Sequence, residues 1–281
     1  MYWLLILPLS LVLGLHYKSL PFAWHIRLFW IAIKARYRTT PPLFLARTSP
    51  RISRSTPHLL LDSLPIGVDV FDDRVVEHFK VGFDDGDFLG HLSNSCYPKN
   101  LDYVRMSYAM QRLPVFARDG GWTALAAIQF KFLREIPIGK RYSVRVGVLG
   151  WDDKWFYVRS EFYTTLRSKK IDEDQETIHC EATSRHCFKY RRRTIPPWLV
   201  FATAGYSPRS SADRRVNWEK TEGVRLSLAK RSRGGKVNLL DAWSRNVGTE
   251  REEEWMRKEF WDLAGWEDRR KVATDEITLS I

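Results

Sequence analysis

The first 61 residues contain no aspartate or glutamate, against eight lysines and arginines. Cysteine is scarce as well: Cys96, Cys180 and Cys187 are the only three in 281 residues. An odd number at such spacing excludes a disulfide framework, and all three read as free thiols. Long apolar runs are missing too. Residues 1–15 carry no charged side chain, and residues 20–33 are interrupted by His25 and Arg27. As helix, the first run spans about 22 Å against a hydrocarbon core of about 30 Å, so it crosses only by recruiting its flanks.

What is present is 44% hydrophobic and 28% charged, enough chain for a real core, which excludes a wholly disordered or collagen-like protein. Its net charge of +12 is unevenly spread. Residues 62–184 hold 16 basic and 19 acidic residues, whereas residues 185–281 hold 21 and 14. A mildly acidic middle argues against a general nucleic-acid binder, whose working face should be basic. The basic flanks suit an anionic membrane surface.

The sequence divides into four parts. Residues 1–38 read as a hydrophobic membrane anchor. No basic stretch precedes the first apolar run and no small-x-small cleavage site comes after it, which favours a retained segment over a cleaved signal. Lys34, Arg36 and Arg38 then place the downstream chain on the cytosolic side of an endomembrane such as the endoplasmic reticulum. A buried core helix is the alternative for residues 20–33. Residues 39–65, with five prolines, read as linker. Residues 66–195 form the candidate catalytic domain, and residues 196–281 a basic extension in which residues 250–270 suggest an amphipathic helix.

From Val75 the apolar residues recur with period two, with Val75, Phe79, Val81 and Phe83 expected inward. Tyr97, Leu101, Val104 and Tyr108 then fall at helical spacing, predicting a helix over 94–111 with Pro98 in its first turn. Four more alternating runs come next, near 128–132, 142–148, 156–162 and 178–190. Short connections at 137–140 and 150–154 suggest hairpins, and hence an α+β fold with an antiparallel sheet wrapped around one helix.

Between the first strand and the helix stands D-x-D-x-x-G-H-x-x-N-x-x-Y, running from Asp85 to Tyr97, followed by Asp102 and Arg105. A second block, residues 149–157, reads LGWDDKWFY. Together they resemble hotdog-fold acyl thioesterases of the 4-hydroxybenzoyl-CoA thioesterase type, and most closely the membrane-associated branch similar to thioesterase superfamily member 6. The resemblance covers about residues 75–192. It implies a hotdog domain, a homodimer, and an acyl-CoA or acyl-carrier-protein thioester as substrate in lipid or secondary metabolism, with no metal or other cofactor.

It also implies roles. Asp87, ten positions before the motif tyrosine, is the nucleophile or general base, and the backbone N–H at Asn94 polarises the thioester carbonyl. His91 supports them, and Ser93, Tyr97 and Asp102 line the substrate. The chemistry is coherent, because a helix start offers unpaired N–H donors to a developing oxyanion and a carboxylate beside it can activate water. Ser93 departs from the asparagine that relatives carry there, which keeps a non-catalytic acyl-thioester-binding or scaffolding protein as the alternative.

Read without the resemblance, Asp87 in a glycine-containing loop is ordinary turn chemistry, Asp84 and Asp85 are solvated or capping residues, and Asp102 with Arg105 is an intrahelical ion pair. His179, Cys180, His186 and Cys187 are too far apart along a strand to share a zinc ion. Cys96 reads as a packing residue, and the basic runs 189–193 and 230–236 as exposed edges and loops.

Overall fold

The computed structural model describes residues 3–39, 64–167, 174–231 and 238–271. The expected linker, but for its two ends, and most of the basic loop at 230–236 lie outside them.

The predicted pattern of one strand, a helix and four strands is found. Strand β1 (Val75–Lys80) leads through a loop to helix α3 (Cys96–Arg112) and a short helix α4 (Pro114–Arg118), numbered after two N-terminal helices, α1 (Trp3–Leu15) and α2 (Ala23–Thr39). Strands β2 (Gly121–Phe132), β3 (Arg141–Trp151), β4 (Phe156–Arg167), β5 (Asp174–Tyr190) and β6 (Arg193–Ile195) come after them. All pair antiparallel in the order β1-β3-β4-β5-β2, with β6 folded back on β5. Tyr97, Leu101, Val104 and Tyr108 of α3 are buried on this sheet with Val144, Val146 and Phe162, as their spacing predicted.

Three local expectations are corrected. The helix begins at Cys96 rather than Asn94, after a Ser95 that makes no side-chain cap. Phe83 is not in the strand: β1 ends at Lys80, and Phe83 lies 64% exposed in a 3-10 turn, Phe83–Asp85. Residues 137–140 close no hairpin, because β2 pairs with β5 at the far edge and the chain crosses the ends of β5 and β4 to reach β3. Three inter-strand gaps amount to about 14 Å, which the connecting residues span easily at about 3.3 Å each. The turn at 152–155 is a true hairpin between β3 and β4.

The C-terminal segment shares this core. Helix α5 (Pro197–Ala204) is buried along its whole length, its one polar side chain, Thr203, donating to the Leu199 carbonyl at 2.7 Å. Helices α6 (Val216–Arg231) and α7 (Leu239–Asn246) come next, and Trp243, Trp255, Trp261 and Trp266 pack into the same cluster as the sheet. Residues 250–270 are not one amphipathic helix: two 3-10 turns, Glu254–Met256 and Lys258–Phe260, precede a final helix at 264–271.

At the other end, α2 lies on α3. Trp24, Leu28 and Ile31 pack against the core, and the Arg27 guanidinium sits 4.1 Å from the Tyr103 ring centroid and 5.2 Å from that of Phe79. Among the described residues, no helix is long and apolar enough to cross a membrane.

Candidate active site

Residues 86–92 form a small closed loop. The Asp87 N–H donates to the His91 carbonyl at 2.8 Å and the Gly90 N–H to the Asp87 carbonyl at 3.1 Å. Gly90 has φ +81°, the left-handed conformation that glycine adopts without a Cβ penalty. Gly86 and Leu92 bridge across the neck of the loop.

This turn aims the Asp87 carboxylate. Its Oδ1 accepts the N–H groups of Leu89 at 3.0 Å and His91 at 3.1 Å. The side chain is half-buried. The turn chemistry expected of an aspartate here is therefore present, and it orients the carboxylate instead of consuming it. One oxygen is tethered, and Oδ2 takes no hydrogen bond among the described contacts.

The other motif residues are placed around this loop with different neighbours. Tyr97 is buried against Phe130, Phe132 and Phe162. Burial pushes its phenol far above the usual range, with the charges of Cys180 and Asp87 adding to the effect, so the hydroxyl stays protonated beside Asp87. His91 turns its Nε2 to Glu135 at 3.2 Å, in the connection between β2 and β3. Ser93 Oγ lies 2.9 Å from Ser95 Oγ, and its carbonyl accepts the Cys96 N–H at 2.8 Å. Asn94 is exposed two residues before α3. Pro98 has no N–H and the Cys96 N–H is taken by Ser93, so the donors left at the start of α3 are those on either side of them.

Asp102 is not brought to the loop. It pairs with Arg105 at 3.1 Å, as the helical spacing predicted, and takes a hydrogen bond from Trp24 of α2. Burial raises its carboxyl above the ordinary value despite the arginine.

Sequence reasoning missed the buried partner of this site. Asp85 is 1% exposed, not solvated, and it binds the ammonium groups of Lys18 and, at 2.9 Å, Lys99. It also caps, as one of its two expected roles: the Gly82 N–H donates to it at 3.2 Å at the start of the 3-10 turn Phe83–Asp85. Burial alone would raise its carboxyl, but the two lysines outweigh that and hold it below the usual carboxylate range. Asp84 does cap: its Oδ2 accepts the N–H groups of Lys18 at 2.7 Å and Ser19 at 3.0 Å. The available signal was an acidic pair on a loop facing a lysine one turn into the helix, but Lys18 lies 67 residues away in sequence.

Among the described residues no group of side chains could hold a metal ion. His179 contacts Thr164 and the Glu135 carbonyl, and His186 contacts Ser184. Burial drives His186 down to about 3, with the Arg105 charge adding, so it is neutral at physiological pH. Cys96 is buried, and burial raises its thiol, which suits packing rather than nucleophilic attack.

Residues 81–202 match the family model described as thioesterase-like superfamily. Over that stretch, under half of its length, the chain is similar to the thioesterase-like superfamily. The match opens just past β1, takes in the loop and α3, and closes within α5. Thioesterase lcsJ of Purpureocillium lilacinum is 25% identical over 295 residues, covering 95% of this chain and 90% of that protein. The probable thioesterase YBR096W of Saccharomyces cerevisiae is 28% identical over 185 residues, covering 64% of this chain and 71% of its own length. Protein THEM6 of Danio rerio is 28% identical over 97 residues, 34% of this chain and 47% of that protein.

Proposed function

We propose that this protein is an acyl thioesterase that hydrolyses an acyl-CoA or acyl-carrier-protein thioester in lipid or secondary metabolism. The observation that carries this reading is the tethered Asp87 carboxylate, held by two backbone N–H groups in the loop that leads into α3, inside the thioesterase-like match.

The thioester carbonyl sits at the start of α3, where the Asn94 N–H and the positive end of the helix stabilise the oxyanion. Water attacks the carbonyl carbon while Asp87 Oδ2 takes its proton. The C–S bond then breaks, the thiolate leaves and is protonated, and the acyl group departs as a carboxylic acid. Alternatively Asp87 attacks directly, giving an acyl-aspartyl anhydride that water opens. Label found in Asp87 after one turnover in isotopically heavy water identifies the second path, with water opening the anhydride at the aspartyl carbon. Tyr97 and Ser93 border the acyl group, and His91, beside Glu135, closes one side.

Two further features belong to this reading. The outer edge of β2 has no strand partner among the described residues, and its Trp122 and Phe132 are half exposed, which supports a homodimer joined at that edge. The apolar, acid-free N-terminus supports attachment to an endomembrane with the domain on the cytosolic side. The domain boundaries at 38, 65 and 195 are proposed as functional divisions of one folded body.

The second reading, an acyl-thioester-binding or scaffolding protein without turnover, draws on the Ser93 hydroxyl, which is occupied by Ser95. Thiol release from acyl-CoAs of graded chain length by the full chain, with Asp87→Asn in parallel, decides. Turnover lost in the variant supports the enzyme, and acyl-CoA binding without turnover in either protein supports the binder.

A further inference from the structure

The N-terminal segment and the Asp87 loop are joined, and both are covered with exposed apolar side chains. Lys18 bonds Asp84 through its backbone and Asp85 through its ammonium group, and also donates to the Lys80 carbonyl at 2.9 Å. That clamp joins the turn carrying Tyr17, 58% exposed, to the turn carrying the exposed Phe83. Next along the same loop, Phe88 is 96% exposed and Leu89 63%.

Helix α2 has two apolar faces. One packs on α3. The other presents Ile26, Phe29, Trp30 and Ile33, each more than 40% exposed and spaced as a single helical stripe, with Phe22, 72% exposed, just before the helix. A stripe of large exposed apolar side chains marks a membrane or protein interaction surface rather than ordinary solvent-facing helix.

We infer that these parts form one lipid-facing surface, so that Phe88 and Leu89 enter the same leaflet as α2 and the Asp87 site opens at the bilayer interface. The substrate class is then acyl thioesters whose chain is dissolved in the leaflet, with the polar carrier in water. This rests on the thioesterase reading and on membrane attachment, and adds to them the loop, the fixed orientation and the long-chain preference.

Charge selects a lipid surface over a second copy. A twofold pair would set the stripe against itself, and the exposed Lys34 at its end would find no acid among the first 61 residues of the other copy to meet. An anionic leaflet complements the same charges, and Tyr17 and Trp30 are residue types favoured at the interface.

The test uses the full chain with vesicles of phosphatidylcholine containing phosphatidylserine. Since Cys96, Cys180 and Cys187 are all buried, Phe88→Cys takes a polarity-sensitive thiol dye selectively. Supporting results are a blue shift on vesicle addition and quenching by lipid-borne bromine rather than by aqueous iodide. Phe88→Ser should weaken vesicle binding by roughly tenfold, because one buried apolar side chain is worth about that factor. The same substitution should raise KM for a long-chain acyl-CoA on vesicles while leaving kcat, and KM for a short-chain acyl-CoA in solution, unchanged.

The inference is overturned if the labelled loop stays open to iodide on vesicle-bound protein, if the blue shift follows protein concentration without vesicles, which marks a second copy, or if the full chain binds no vesicle. The dye readout needs no turnover, so a loss of the thioesterase reading would be seen separately.

Discussion

Asp85 and Asp87 stand two residues apart and have opposite environments. Asp87 is half-buried, tethered through one oxygen, and carries no lysine or arginine ion pair among the described contacts. Replacing it by asparagine keeps an oxygen for the two N–H groups and removes the base. We expect Asp87→Asn to lower kcat by about 10²–10⁴-fold with little change in Tm, measured by thiol release and thermal unfolding. Asp85 is fully buried between two lysines, so Asp85→Asn leaves their charges uncompensated and should cost on the order of 3 kcal/mol, read from denaturant titration. The direction of the shifts sets the pH dependence. Asp85 is held below its unfolded value, so its contribution is present above about pH 4 and is lost as pH falls through the depressed native value. Lys99 is shifted up: burial opposes the charged form, but Asp85 outweighs it. Its contribution is present below about pH 10 and is lost as pH rises through the raised native value. Tm measured against pH should therefore show an acid limb in the wild type that Asp85→Asn flattens.

At the scale of elements, the loop that presents Asp87 depends on one backbone conformation. A Cβ at Gly90 would meet nothing within 4 Å, so only its φ of +81° resists substitution. Gly90→Ala should cost about 1–2 kcal/mol, and a circular dichroism melt would register it. It should lower turnover further than that loss of stability accounts for, because the Leu89 and His91 N–H groups shift with the turn. The elements themselves were legible in the sequence: period two gave the strands, and the spacing of Tyr97, Leu101, Val104 and Tyr108 gave the buried face of α3. Strand order was not. Alternation says which face of a strand is buried but not which strand lies beside it, so the connection after β2 passed for a hairpin. The start of α3 was missed by two residues because Ser93, Asn94 and Ser95 are all plausible caps and none of the three caps in the usual way. The Lys18 clamp was invisible because nothing local ties that residue to Asp85.

At the scale of the whole molecule, segments at both ends of the chain are built into the domain they flank. The tryptophans of the C-terminal segment read equally well as a membrane-touching helix or a packing one, and composition could not choose. Packing decides: Trp266 is 1% exposed and meets Trp151 edge to face at 5.6 Å, while Trp151 stacks on Phe71 at 5.0 Å. Trp151 belongs to β3, so the contact runs directly into the sheet that carries the site. The Trp266 Nε1–H has no partner among the described residues, so replacing the ring forfeits packing and no hydrogen bond. Trp266→Ala should thus cost about 3–5 kcal/mol and shift a single cooperative transition of the entire chain. Differential scanning calorimetry separates this from a loosely attached extension, in which the same change would create a second, lower transition and leave the main one in place.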